Sequence, residues 1–208
     1  MTINDIKIAA LQLMFTNYSD DLRTEDVDDI TSEEYNQYLV NMDACINRCL
    51  GRIEAANVLE AKKFVLTKQN GTESDNYITY DLSTLVGDFK SIIRVTKKSQ
   101  YGYISNEEYE LEGKDLILPL LCDGETYTLI YKFKPTRIAI GAPSSTNIDL
   151  PDSVCELIPY FIKAELYEED EPNLATQARN IFEAMLSQMI QDYRSGQTKV
   201  ENVWEGVV

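Results

Sequence analysis

The period of the apolar positions changes twice along this chain, from helical to alternating and back to helical. Thr2 and Asp5 have the spacing of a capping box, and Ile3, Ile6, Ala10 and Leu13 follow at helical intervals, with Ile8, Leu11 and Phe15 filling other sides. A short helix buried nearly all round is expected there. Residues 17–30 are polar and acidic and read as a loop. Thr31 with Glu34 repeats the capping-box spacing, and Tyr35, Tyr38, Leu39, Met42, Ile46, Cys49, Leu50 and Ile53 then form one stripe of a helix of about six turns.

From residue 61 the period shortens. Residues 62–67, 77–82, 91–96, 115–121 and 126–133 are short runs rich in β-branched and aromatic side chains, separated by turn signals. Asn70-Gly71 and Asp123-Gly124 are the sharpest signals, since both pairs tolerate the positive φ of tight hairpins. Pro119 within its run marks an edge strand or a bulge. The Ser144-Ser145-Thr146-Asn147 stretch reads as a return linker. Pro151 then suits a first helical turn, followed by a stripe of Val154, Leu157, Ile158, Phe161 and Ile162. Glu168 to Glu171 form an acidic hinge, and Pro172 opens a second helix whose expected apolar face is Leu174, Ala178, Ile181, Phe182, Met185 and Met189.

These elements predict an α+β fold. A four-helix-type bundle is drawn from the two chain ends, residues 1–60 and 146–194, with a small antiparallel sandwich or open barrel, residues 61–145, inserted between them; residues 195–208 are a tail with little periodicity. The 208 residues suffice for one sizeable core or a core with an insertion, and 44% hydrophobic with 26% charged residues is the composition of a folded protein. The formal net charge of −16 is unevenly spread: residues 1–60 carry −8, residues 61–137 carry 0 and residues 138–208 carry −8. A neutral middle between two acidic ends fits the inserted arrangement. No stretch has the length and hydropathy of a membrane span, and Met1 to Asn17 lacks the pattern of a signal peptide, so intracellular synthesis is expected.

The search for chemistry returns little. The chain has no His, which removes the commonest general base and metal ligand, and with it Ser-His-Asp and Cys-His nucleophile systems. No glycine-rich phosphate loop is present. Cys45, Cys49, Cys122 and Cys155 lack metal-ligand spacing and read as buried reduced thiols rather than as a disulfide or metal set. The cluster Asp20, Asp21, Glu25, Asp26, Asp28 and Asp29 offers oxygen ligands for Ca²⁺ or Mg²⁺ but lacks the spacing of an EF-hand loop, and a solvated acidic loop is the plainer reading. Glu168 and Glu169 read as a solvated helix end. Tyr77, Tyr80, Tyr101, Tyr103 and Tyr127 lie near Lys97, Lys98, Lys132 and Lys134, a mixture able to stack on nucleic acid, although half-buried sheet aromatics explain it more simply. No catalytic, cofactor-binding or metal residue is assigned, and no enzymatic activity is expected.

One resemblance stands beside this reading. The segments Cys45-Ile46-Asn47-Arg48 to Arg52-Ile53-Glu54, Ile148-Asp149-Leu150-Pro151, Leu157-Ile158-Pro159-Tyr160-Phe161-Ile162-Lys163-Ala164-Glu165-Leu166, and Ala178-Arg179-Asn180-Ile181-Phe182-Glu183-Ala184-Met185-Leu186 resemble, in this order around a β insertion, the head-to-tail adaptor (tail-tubular) proteins of tailed, especially short-tailed, bacteriophages. The β insertion itself matches no motif of that family. The resemblance implies a structural virion protein of the neck, made in the host cytoplasm: a dodecameric ring beneath the portal protein that carries tail or nozzle proteins and lets DNA pass through its channel without specific binding. No cofactor and no membrane partner are implied. An acidic lumen would suit such a channel, although acidity also serves simple solubility. In the tail, Val200, Val203, Trp204, Val207 and Val208 are apolar on a hydrophilic segment expected to be unstructured, and are the expected protein-interaction residues, with Trp204 as the anchor in a neighbouring subunit or portal groove. Two other classes remain open: a non-catalytic helical interaction module, and a carboxylate-dependent metal hydrolase.

Overall fold

The computed structural model describes residues 1–15, 27, 30 and 33–204, with the backbone alone at residue 34 and at residues 194–204. The fold is α+β, with helices toward both chain ends and two antiparallel sheets between them in sequence. The chain divides into two compact units, Met1–Val58 together with Pro135–Val208, and Leu59–Lys134.

In the helical unit, α1 (Ile3–Met14) opens with a formed capping box: Thr2 Oγ1 accepts the Asp5 N–H at 3.1 Å and the Asp5 carboxylate accepts the Thr2 N–H at 2.8 Å. That N–H favours the charged carboxyl and holds its pKa below the usual value, so its stabilisation is complete above the ordinary carboxylate range and is lost as pH falls through the depressed value. At the other end of α1, two of the unpaired carbonyls are satisfied from α5 (Ile158–Leu166) and its flank: Lys163 Nζ donates to Leu13 O, and the Tyr167 hydroxyl donates to Met14 O at 2.8 Å. α5 packs against α1, α2 (Glu33–Ala56) and α6 (Pro172–Trp204), which makes it the hub of the unit. Around it are buried Ile3, Ile6 and Leu11 of α1, Met42, Cys45, Ile46, Cys49, Leu50 and Ile53 of α2, and Phe182 and Leu186 of α6.

Several expectations are corrected here. The helix drawn from Pro151 is two helices, α4 (Asp152–Cys155) and α5, because Pro159 has no N–H to offer Cys155 and its ring crowds that carbonyl. The buried stripe of α6 is Ala175, Ala178, Phe182 and Leu186, while Leu174 and Ile181 stand 37% and 44% exposed. Phe161 is half-buried, its ring edge-on to Phe182 with centroids 5.1 Å apart. The helix does not stop near residue 194: α6 continues to Trp204, since no proline or capping residue ends it and Gly196 inside a helix costs only about 1 kcal/mol. The segment expected as an unstructured tail is thus helical as far as Trp204.

The return from the β region also comes earlier than residue 146. Ile138 donates its N–H to Asn47 Oδ1 at 2.9 Å and accepts from Asn47 Nδ2 at 2.8 Å, while Ile3 and Asn4 donate to the carbonyls of Thr146 and Ser144, each at 2.9 Å. Residues 135–147 therefore belong with the helices rather than with the sheets.

The β unit holds two four-stranded sheets. One has the order β1 (Lys62–Leu66), β8 (Thr126–Phe133), β4 (Phe89–Lys98), β5 (Ile104–Glu107); the other has β2 (Thr72–Glu73), β3 (Tyr77–Asp81), β7 (Asp115–Pro119), β6 (Glu110–Glu112), and the short helix α3 (Leu82–Leu85) follows β3. Period-2 alternation buries Leu66, Val95, Tyr127, Leu129 and Tyr131 on one face of the first, and Ile78, Tyr80, Leu116 and Leu118 on one face of the second. The Tyr127 hydroxyl of the first sheet donates to Pro119 O of the second at 2.8 Å. The strand that carries Pro119 is neither an edge strand nor bulged there. Pro119 ends this inner strand, opposite Tyr77 on β3 and beyond the reach of β6.

The turn chemistry also differs from expectation. Asn70-Gly71 makes no tight hairpin: Lys68–Asn70 form a 3-10 turn and Gly71 is extended at φ −113°. Glycine is needed there because a Cβ would lie 2.5 Å from Cγ1 of Ile78. Asp123-Gly124 connects strands of different sheets. The two-residue hairpin is Gly113-Lys114 between β6 and β7, where Gly113 takes φ +66°.

Two buried tyrosines give opposite predictions. Burial pushes the Tyr80 hydroxyl up to about 12, and that hydroxyl has no hydrogen-bond partner among the described residues. Tyr80→Phe should therefore leave stability unchanged or raise it by up to about 1 kcal/mol, whereas Tyr127→Phe should cost about 1 kcal/mol by orphaning Pro119 O. Urea unfolding of both variants checks this, and an equal loss in both is the contrary result. In the helical unit Phe182→Ala should cost roughly 3–5 kcal/mol, and half-buried Phe161→Ala about half as much. The reverse ranking in the same measurement would misplace the core.

Candidate functional site

The most tightly built polar cluster sits where three separate segments meet. Asp43 of α2 is only 4% exposed, and a buried carboxylate persists only with compensation. Lys7 of α1 brings its ammonium 2.8 Å from Asp43 Oδ1, as a charge contact outside hydrogen-bonding geometry. The other oxygen accepts the Gly141 N–H at 2.8 Å. One turn along α2, Asn47 clasps Ile138, and Arg137 donates to Asn47 O and lies 3.4 Å from Glu54. The cluster joins α1, α2 and the segment returning from the β unit. Within it Lys7 opposes Asp43 and Arg137 opposes Glu54.

A cleft of about 380 Å³ lies between α1, α5 and α6, with Ala9, Gln12, Leu13, Glu156, Tyr160 and Met185 among its lining residues. Among the described residues Glu156 is the one carboxylate that lines it. All four cysteines are free thiols; Cys122 is exposed, contrary to the expectation of burial, while desolvation pushes Cys45, Cys49 and Cys155 up, away from the reactive thiolate. Among the described residues no group of three or more His, Cys, Asp or Glu side chains is placed to hold a metal ion, and no helix is long and apolar enough to cross a membrane.

The residues singled out in the sequence are dispersed. Val200, Val203 and Trp204 lie on the last turns of α6 with their side chains outside the described set, and Val207 and Val208 lie outside the described residues, as do Asp20, Asp21, Glu25, Asp26, Asp28 and Asp29. Glu168 pairs with Arg179 at 3.4 Å; Arg48 with Glu165 and Arg52 with Glu183, each at 3.0 Å, add surface pairs between the helices, each worth about 0–1 kcal/mol. Tyr80 and Tyr127 are core residues. Tyr101 and Tyr103 stand 80% and 78% exposed at the β4–β5 turn, and Tyr77 is also exposed. Lys97 is tied to Glu125 at 2.8 Å, which raises the lysine pKa and lowers that of the glutamate. The Asp43 cluster escapes sequence reasoning because its partners lie 36 and 98 residues away; its one signal is an Asp next to the apolar stripe of a helix.

No protein-family model matches this chain, and no curated protein matches it either.

The ion pair yields a test. Lys7→Ala strands the Asp43 carboxylate in the core and should cost about 3–5 kcal/mol at neutral pH, while adding Asp43→Asn, which still accepts from Gly141, should recover much of that loss. Denaturant unfolding of the single and double variants measures it. Additive losses would mean that the two charges do not compensate one another.

Proposed function

We propose that this chain is a structural head-to-tail connector of a tailed bacteriophage, working without catalysis. In this reading the helices of the two chain ends act as one four-helix-type bundle, the β unit is an inserted module, and copies close into a dodecameric ring between portal protein and tail or nozzle proteins. The observation that carries the reading is that α1 and α2 from one chain end pack on α5 and α6 from the other, with a separate β unit between them in sequence, the order in which the resembling segments occur. The charge distribution supports it. Residues 59–134 carry 10 basic and 12 acidic residues, so the remaining excess of −14 falls on the helical unit, where it would repel phosphates passing a channel over about 10 Å at 0.1 M salt. In this account the protein is made in the host cytoplasm and ends in the virion neck, without cofactor or membrane.

The last turns of α6 with residues 205–208 are the proposed portal contact, and Trp204 is its anchor. An aromatic anchor contributes about 2 kcal/mol or more to an interface, so Trp204→Ala should weaken portal co-sedimentation roughly thirtyfold, and removal of residues 195–208 should abolish it while the thermal melt stays unchanged. Equal portal binding by wild type and both variants would remove the tail from the contact. No portal binding by the wild type would end the connector reading.

A further inference from the structure

The two sheets of the β unit present outer faces of opposite charge. Strand register places Lys63 of β1, Lys132 of β8, and Arg94 and Lys98 of β4 on the outer face of the first sheet, Arg94 and Lys98 alternating with the inward Val95 and Lys97. No strand position on that face holds a carboxylate. On the outer face of the second sheet the same accounting gives Asp81 of β3, Asp115 of β7, and Glu110 and Glu112 of β6, with no lysine or arginine among its strand positions. Lys63, Arg94 and Lys98 are exposed, Lys132 is half-buried, and all four carboxylates are exposed.

Three lysines elsewhere in the unit are paired within it: Lys62 with Asp88, Lys97 with Glu125 and Lys68 with Glu73. The outer-face cations, and Glu110, Glu112 and Asp115 opposite, make no ion pair among the described residues. Apolar side chains stand between them, Val65, Ile93 and Ile104 on the basic face and Tyr77 on the acidic one, all more than 40% exposed. Sheet faces pack on one another at about 10 Å, so a charged face with exposed apolar side chains fits a second sheet face of opposite sign.

We infer that the β units of neighbouring copies stack head to tail, the basic outer face of the β1-β8-β4-β5 sheet of one copy on the acidic outer face of the β2-β3-β7-β6 sheet of the next. The occupant is a second copy because one small unit carries both halves of the complement, and because its near-neutral charge lets it approach its like where the helical unit repels. A contact between two different faces repeats until it closes into a ring or runs on as a filament. The inference rests on the self-assembly in the proposed function and names the surface that carries it.

The test uses the full chain, with folding of each variant checked by circular dichroism. One variant reverses the basic face (Lys63→Glu, Arg94→Glu, Lys98→Glu) and the other the acidic face (Glu110→Lys, Glu112→Lys, Asp115→Lys). Sedimentation velocity should show wild-type association weakening about tenfold or more between 0.1 and 1 M salt, as the screening length falls from about 10 to about 3 Å. Each variant alone should lose association by a similar factor, and an equimolar mixture should regain it. The second variant has the smaller net charge, so a mere net-charge effect would strengthen its association instead. Wild-type-like association by either variant, a mixture that does not recover, or a wild type that is monomeric at both salt concentrations overturns the inference. So does a DNA oligonucleotide bound by wild type and lost in the first variant while association persists, which would assign the basic face to phosphate. Portal binding by the wild type with unaffected charge variants defeats this inference alone; face-dependent association without portal binding defeats the connector reading alone.

Discussion

Asp43 imposes the constraint on which the helical unit depends. A carboxylate carried into a helix-packed interior is tolerable only if counter-charge and hydrogen-bond donors reach it, and here they come from α1 and from the segment just after the β unit. Lys7 and Gly141 are far from each other in sequence, so the compensation is complete only when the chain has gone out through the sheets and come back. Asn47 with Ile138, and Ile3 and Asn4 with Thr146 and Ser144, repeat the same join in uncharged form. α5 can then settle against α1 and α2, where Lys163 and Tyr167 close the carbonyl end of α1. The helices near the two ends of the sequence therefore share one compact unit, with the β unit between them in sequence.

Much of this was legible from local pattern. The capping box at Thr2 and Asp5, the stripe of α2 and the limits of β8 follow from spacings of a few residues, which local backbone preference obeys. What escaped depends on distant partners or on backbone details that apolar spacing does not encode. Pro159 sits inside an uninterrupted apolar stripe, yet divides it into α4 and α5. Ala175 and Leu186 rather than Leu174 and Ile181 face the core of α6, a small rotation that only the packing partner decides. Gly71 looks like a turn residue and is instead a close-packing residue against Ile78. The end of the insertion at Lys134 rather than near Ser145 is set by hydrogen bonds to α1 and α2, to which composition is blind.

Charge shows the same division between what is local and what is not. The acidic excess of the chain ends can be counted in the sequence, but the opposed faces of the β unit cannot, because they depend on strand order and on which strands share a sheet. Reaction chemistry is sparse around these features: three of the four thiols are buried with raised pKa values, and the buried carboxylate is already opposed. In the proposed connector, the acidic helices would form a wall that phosphates slide past, and the opposite charges on the two faces of the β unit would carry contact between copies.

The connector reading therefore stands on how copies of this chain arrange themselves. Electron microscopy of the purified full chain mixed with portal protein looks at that directly. The account predicts closed rings of a single size, coaxial with the portal and open along the axis. Single copies scattered on the portal, or open-ended filaments that never close, would contradict it.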